Sequence, residues 1–346
     1  MSDLKTFYLP ESVNGTALDI DLARKMIQAW RTDGAFQVAM TKIQREKSEN
    51  AFAVNKWFFH MPNEFKSQFI NDITYSGYTA SGEELTADEK DYSEVFSIFK
   101  DIPIDDVRTQ AHWPCHGPVP WPNVEYKKSI QAYMDELNSL GNDLLKLIAL
   151  GLKLDNIDAL TNLAKDGWCH IRALRYPEIS QESERGIGSH TDYGLLVIIN
   201  QNGVDGLYIR PPIEGESRNR NWLSTESTAG LYENEEPWIP VKPVSGVFIV
   251  LPGDIMQFIT SSYLISTLHK IKLNAMERFS MAYFHDPDFN SCVRPLGNSE
   301  EYIFYGEYFT KIVMKSYPER DVTRRIMNEN RLSVLATLKD KKHGCY

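Results

Sequence analysis

The sequence predicts a mainly β protein with helices: one double-sheet β core, carrying helices on its outer face and at both ends. Two observations carry this. Between about residues 166 and 290, short β-branched and aromatic runs alternate with Gly, Pro and Asn at the spacing of a sandwich or barrel. Outside that region the apolar residues recur with helical period. The 16 Phe, 17 Tyr and 7 Trp point the same way, toward strands and pockets. With no internal repeat and no dividing linker, residues 1–346 read as a single domain. It has a helical N-terminal region of about 1–165, the β core of about 166–290 and a helical C-terminal segment of about 300–346.

In chain order, Asp19 to Arg31 places Leu22, Met26, Ile27 and Trp30 at helical spacing and stops at Asp33-Gly34. A strand over Ala35–Ala39 follows, then helical character over 41–70 and an irregular Tyr/Ser/Gly-rich loop over 74–82. Pro114, Pro118, Pro120 and Pro122 exclude helix and central strand from 111–123. From Glu125 to Leu152 the stripe Ile130, Tyr133, Leu137, Leu140, Leu144, Ile148 predicts a long helix with one buried face. Strands are expected at 170–176, 191–199, 206–210, 246–251, 255–260, 266–273 and 277–284, and a last helix at 321–339.

Hydrophobic residues make up 42% and charged residues 24%, the balance of a globular chain. The net charge of -10 has the wrong sign for a general grip on nucleic acid or anionic lipid, so any bound anion must be held locally. The longest apolar runs, such as Leu195–Ile199 and Val247–Leu251, fall far short of the ~18 residues of a membrane span. Neither a secretory signal nor a CxxC pair is apparent among Cys115, Cys169, Cys292 and Cys345. A cytoplasmic, reduced protein, monomeric and free of nucleic acid and membrane, is the expectation.

His190-Thr191-Asp192 opens the most apolar strand, and residues two apart on a strand face the same side, so imidazole and carboxylate can converge on one metal ion. Alone the triplet is weak: with 8 His and 47 acidic residues in 346 positions, chance supplies about one. A second piece lies in Thr267-Leu268-His269-Lys270-Ile271 followed by Arg278-Phe279-Ser280. With a two-residue turn at Asn274-Ala275, His269 faces Ser280, Ile271 faces Arg278, and all four share a face. Two histidines and a carboxylate form the facial triad of mononuclear non-haem Fe(II) oxygenases, which leaves three coordination positions open for substrate and O₂. A guanidinium on the same face suits a carboxylate.

The ordered set HxD, a distal His and RxS resembles the 2-oxoglutarate-dependent oxygenases of the isopenicillin N synthase-like type. That resemblance implies a double-stranded β-helix, or distorted jelly roll. It implies Fe(II) on His190, Asp192 and His269, with 2-oxoglutarate and O₂ as co-substrates. Arg278, assisted by Ser280, takes the distal carboxylate of 2-oxoglutarate. The segments Thr74–Tyr78, Ala80–Glu84, Trp113–Asn123, Arg185–Gly188, His190–Val197 and Tyr208–Leu223 are similar, within that family, to the ethylene-forming enzymes of bacteria and fungi, from about residue 5 to 335.

The narrower resemblance implies L-arginine-dependent conversion of 2-oxoglutarate to ethylene and CO₂. It also implies a competing hydroxylation of L-arginine at C5, giving succinate, guanidine and pyrroline-5-carboxylate. By position, Glu84 and Thr86 meet the arginine guanidinium with Tyr193 beside it, Arg172 contacts 2-oxoglutarate or arginine near the metal, and Phe284 walls the 2-oxoglutarate site. Lys315, ahead of Ser316 and Tyr317, stands where those enzymes carry arginine, and Leu268 where proline precedes the distal histidine. Lys315 and Tyr317 join the implied arginine contacts. Two alternatives stay open: the same chemistry on another amino acid or small molecule, and a catalytically silent 2-oxoglutarate-binding protein.

Overall fold

The computed structural model describes residues 4–179, 183–297 and 300–341. Its strands, in chain order, are β1 (Thr6–Phe7), β2 (Phe36–Ala39), β3 (Gly77–Thr79), β4 (Leu85–Thr86), β5 (Glu89–Lys90), β6 (Glu94–Ile98) and β7 (His170–Tyr176). They continue with β8 (Arg185–His190), β9 (Leu196–Gln201), β10 (Leu207–Ile209), β11 (Ile239–Pro240), β12 (Val247–Pro252), β13 (His269–Lys272), β14 (Arg278–His285), β15 (Cys292–Val293) and β16 (Ile303–Phe304). One sheet runs β1-β2-β12-β9-β14-β7-β6-β3, and a second runs β11-β10-β13-β8.

The period-two pattern explains how the sheets face each other. On the large sheet Leu174, Tyr176, Val197, Ile199, Ile249, Leu251 and Phe284 point inward, where they meet Ile187, Leu207, Ile209 and Ile271 of the small sheet. Their neighbours Ile171, Ala173, Phe279, Met281 and Tyr283 point outward into a larger cluster with the helices. Those helices include Ala17–Asp33 and Lys42–Phe59, both packed on Val124–Gly151.

Local signals set the helix ends. Thr16 and Asp19 form a capping box, and Gly34 ends that helix in the left-handed conformation at φ 77°. The long helix starts where the Asn123 side chain accepts from the Tyr126 N–H. Gly141 lets this helix approach the large sheet, since a Cβ there would lie 2.5 Å from the His285 ring.

Several expectations are corrected. Residues Asp254–Ile259 form a helix and not a strand, the loop of 74–82 contains β3, and the C-terminal segment holds helices Tyr305–Ser316, Asp321–Asn328 and Leu332–Lys341 in place of one. β13 and β14 do not form a hairpin through Asn274-Ala275: β13 pairs with β8 and β10, while β14 pairs with β7 and β9. His269 therefore lies opposite His190 and Ile209, and Ser280 opposite Gln201 and Leu174. Asp192 is not on a strand either, because His190 ends β8 and β9 begins at Leu196. Cys115 and Cys169 are free thiols, but Cys292 is disulfide-bonded, against the expectation of reduced cysteines. Among the described residues no helix is long and apolar enough to cross a membrane.

Candidate active site

His190 and His269 are direct cross-strand partners, with ring centroids 4.2 Å apart. A register shift between His269 and Ile271 lets four residues of β8, 187–190, oppose three of β13, a bulge of the kind that re-aims side chains beside a site. From the turn after β8, the Asp192 carboxylate comes within 3.7 Å of His190 Nε2 and 3.4 Å of His269 Nε2. The three potential ligand atoms lie within 4.8 Å of one another.

Hydrogen bonding decides the histidine tautomers. His190 Nδ1 lies 2.8 Å from the Gly188 carbonyl and His269 Nδ1 lies 3.1 Å from that of Thr267. Carbonyls only accept, so each Nδ1 carries its proton and each Nε2 turns a lone pair toward Asp192. Three acceptors then converge, an arrangement that a divalent cation resolves. Burial and then the neighbouring His269 hold His190 well below the usual histidine range, so it is neutral and ready to ligate. Burial raises Asp192, against the pull of His269 and Arg172. Anaerobic Fe(II) at a hundred times its Kd is expected to stabilise the fold by about 2.7 kcal/mol, read as a rise in Tm that a chelator reverses. A His269→Ala protein showing the same rise would refute this site.

The turn that presents Asp192 is held by residues with no motif of their own. The Asp254 N–H donates to the Asp192 carbonyl at 2.8 Å. The Asp254 carboxylate in turn accepts from Asn221 Nδ2 at 3.0 Å and the Tyr308 hydroxyl at 2.8 Å. Gly194 is required by proximity, since a Cβ there would lie 1.7 Å from Asp286 Oδ1.

Arg278 is 1% exposed, its guanidinium 4.7 Å from the centre of the Tyr176 ring. Nη2 donates to Gln201 Oε1 at 2.7 Å and Nη1 to Ser280 Oγ at 3.4 Å, while Nε has no partner. None of these partners is charged, and burial lowers the arginine from its ordinary range. A buried cation with spare donors calls for an anion. Gln201 was not anticipated, though its place at the inward end of β9 makes it a partner by register.

A cavity of about 470 Å³ lies beside the triad, lined by Glu84, Thr86, Arg172, His190, Asp192, Tyr193, Phe284, Lys315 and Tyr317 among others. It thus gathers most of the residues singled out from sequence, while His269, Arg278 and Ser280 lie outside its lining. Phe284 and Phe99 stack on the two faces of His170, at 4.3 and 4.5 Å, and form an aromatic wall. His170 Nδ1 approaches Asp286 Oδ2 to 3.1 Å without the alignment of a hydrogen bond. Glu84 and Arg172 pair with each other, a contact no local pattern indicates. Burial opposes the charge of Arg172, but Glu84 outweighs it and holds the guanidinium charged. The Tyr317 hydroxyl lies 3.4 Å from Arg172 Nη2, and Lys315 is exposed with no described carboxylate in ion-pair range.

Residues 168–287 match the 2OG-Fe(II) oxygenase superfamily, and residues 3–124 match the N-terminal region described as non-haem dioxygenase in morphine synthesis. The chain is 51% identical over 343 residues to a 2-oxoglutarate-dependent ethylene/succinate-forming enzyme of Ralstonia nicotianae, covering 98% of this chain and 99% of the relative. It is 26% identical to a homoarginine-6-hydroxylase of Arabidopsis thaliana, over 80% of this chain and 73% of the relative. Among solved structures, a 2OG-Fe(II) oxygenase family protein from Caulobacter crescentus superimposes with a TM-score of 0.72 at 20% identity, covering 91% of this chain and 100% of that one. That likeness bears on the fold, a jelly roll. Together with the full-length relative, the domain match establishes that the chain belongs to the 2OG-Fe(II) oxygenase superfamily and is an Fe(II)/2-oxoglutarate-dependent dioxygenase.

Proposed function

We propose that the protein forms ethylene and CO₂ from 2-oxoglutarate in an L-arginine-dependent reaction. In a competing reaction it hydroxylates L-arginine at C5, with succinate, guanidine and pyrroline-5-carboxylate as products. The observation that carries this is the buried Glu84 carboxylate, which already holds a guanidinium, that of Arg172, on the wall of the triad cavity. The full-length relative named for forming ethylene and succinate supports the same reading.

In this reading His190, Asp192 and His269 hold Fe(II), which supplies the activation of O₂ that accompanies decarboxylation of the ketoacid. Arg278 grips the distal carboxylate of 2-oxoglutarate through donors that have no charged partner in the fold, with Ser280 beside it. Phe284, backed by His170 and Phe99, keeps water from one side of the co-substrate. Glu84 and Thr86 receive the arginine guanidinium, and Arg172 is released toward the bound ligands as the substrate takes its place. Tyr193 flanks the substrate, while Lys315 and Tyr317 offer a cation and a hydroxyl to its amino-acid end.

Incubation with Fe(II), 2-oxoglutarate and O₂ is expected to give headspace ethylene that depends on L-arginine, together with guanidine. Absence of both products from a protein that binds metal would overturn the reading. Lys315 favours a second possibility, a different amino-acid substrate, because an ammonium holds a carboxylate as a mobile point charge without the planar fork of arginine. Succinate released with homoarginine but not with arginine would decide for that alternative.

A further inference from the structure

Asp91 does not line the cavity, yet it is completely buried and hydrogen-bonded to a residue that does. Its Oδ2 accepts from the Thr86 hydroxyl at 2.6 Å, and its Oδ1 accepts from the Gly188 N–H at 3.0 Å and from Arg185 Nε at 3.1 Å. The backbone around it is fixed as well. The Asp91 N–H donates to the Glu84 carbonyl at 3.0 Å, and the Gly82 N–H donates to the Asp91 carbonyl at 2.8 Å. Arg185 Nη2 also donates to the Thr86 carbonyl at 2.7 Å, so the hairpin carrying Thr86 is tied to β8 from two directions.

A threonine hydroxyl has one proton and two lone pairs. Here the proton is committed to a carboxylate that can only accept. Burial, and then the Glu84 charge, push Asp91 up to about 6, which leaves it ionised at pH 8. The Thr86 oxygen can therefore only accept from whatever enters the cavity, as can the adjacent Glu84.

We propose that Asp91 is a specificity-determining positioning residue: by accepting the Thr86 hydroxyl it makes Thr86 Oγ1 an obligate acceptor, selecting a guanidinium over an isosteric end that presents a carbonyl. The proposal rests on the reading that Glu84 and Thr86 receive the substrate guanidinium. It adds which residue sets that preference and by what means.

Asp91→Asn tests it with little change of shape. Gly188 N–H and Arg185 Nε–H both need an acceptor, so the asparagine oxygen faces them and its NH₂ faces Thr86. Thr86 then accepts from Asn, and its own proton turns toward the cavity. Binding of L-arginine and of L-citrulline, whose neutral end replaces one NH₂ by a carbonyl oxygen, is measured by calorimetry at pH 8 on protein loaded with Fe(II) and 2-oxoglutarate without O₂.

The wild type is expected to prefer arginine. Asp91→Asn is expected to lower the arginine-to-citrulline ratio roughly tenfold or more, the worth of a charge-assisted hydrogen bond, with metal and 2-oxoglutarate affinities unchanged. Thr86→Val should weaken arginine while sparing citrulline, Thr86→Ser should keep the wild-type ratio, and Asp91→Asn added to Thr86→Val should not move the ratio further. An unchanged ratio in Asp91→Asn, with arginine still preferred, overturns the inference and leaves the arginine reading intact. A wild type that binds no guanidinium ligand overturns both. Should Asp91→Asn not fold, Thr86→Val still decides: an equal loss for citrulline would show that Thr86 accepts from an N–H both ligands share and does not discriminate, and a loss confined to citrulline would show Thr86 to be a donor, either of which overturns the inference.

Discussion

Replacing Arg278 by methionine is expected to weaken 2-oxoglutarate binding roughly a hundred- to several-thousandfold, while the ligand-free protein becomes no less stable. The two effects share one cause. In the free protein Arg278 is 1% exposed, has only neutral hydrogen-bond partners and leaves Nε unsatisfied, so the cost of burying its charge is offset only in part by Gln201, Ser280, the Tyr176 ring and the more distant Asp205. Bound 2-oxoglutarate supplies the missing anion, and removing one partner of such a buried pair costs about 3–5 kcal/mol.

Methionine keeps the length of the stem beside Tyr176 and Gly206, where a Cβ would already lie 3.2 Å from Arg278 Cδ. Calorimetric titration with 2-oxoglutarate reads the first effect and urea unfolding of ligand-free protein reads the second. A variant that binds normally, or whose ligand-free form is destabilised by several kcal/mol, would show the cation to be structural. Arg278→Lys should fall between the two, since an ammonium retains the charge without the planar fork.

Acidification is expected to strip stability from the protein between pH 6.5 and 4. His116 and His285 are buried and neutral, and burial pushes both down to about 4. His116 lies 4.5 Å from Trp168 and 4.7 Å from Phe289 between ring centroids, with Nδ1 2.9 Å from the Pro114 carbonyl. His285 presses on Gly141, with Nε2 3.2 Å from Asn142 Oδ1.

Since the unfolded chain titrates near 6.5, it binds more protons than the native protein throughout this window. Each histidine contributes stability that is complete above pH 6.5 and lost as pH falls through about 4, on the order of 3 kcal/mol apiece. Asp91 runs the other way. Its folded value of about 6 lies above the ordinary 3.8, so its contribution is greatest at low pH and is lost as pH rises through 6. Among these three groups the loss on acidification is therefore nearer that of one histidine than of two. Urea midpoints at pH 7.5 and 4.5 measure it. In His116→Phe the fall should be smaller by roughly 2–3 kcal/mol, and equal falls in variant and wild type would refute the assignment.

Much of the architecture was legible because it is written locally. The stripe from Ile130 to Ile148, the Gly34 stop and the strand over 170–176, whose Leu174 and Tyr176 point inward, each depend on neighbours a few residues away. Residues 255–260 misled for the same reason. A short run of Ile, Met and Phe satisfies strand and buried helix equally, and here the turn from Asp192 to Gly194, to which the Asp254 and Ile255 N–H groups donate, goes with the helical outcome. The supposed hairpin failed because turn chemistry constrains only adjacent residues, whereas the pairing of β13 with β8 and of β14 with β7 spans about a hundred residues of chain.

The candidate site divides along the same line. Its residue types, their order and the family they indicate could be read directly from the chain, since HxD, the distal histidine and RxS are chemical identities that survive without coordinates. Their arrangement could not. That His190 faces His269 across a bulge, that Asp192 reaches them from a turn, and that Arg278 lacks a countercharge are consequences of long-range sheet pairing. The Glu84–Arg172 pair joins residues 88 positions apart, and Asp91 reaches Gly188 across 97. No periodicity extends so far, and only packing settles which buried donor meets which acceptor.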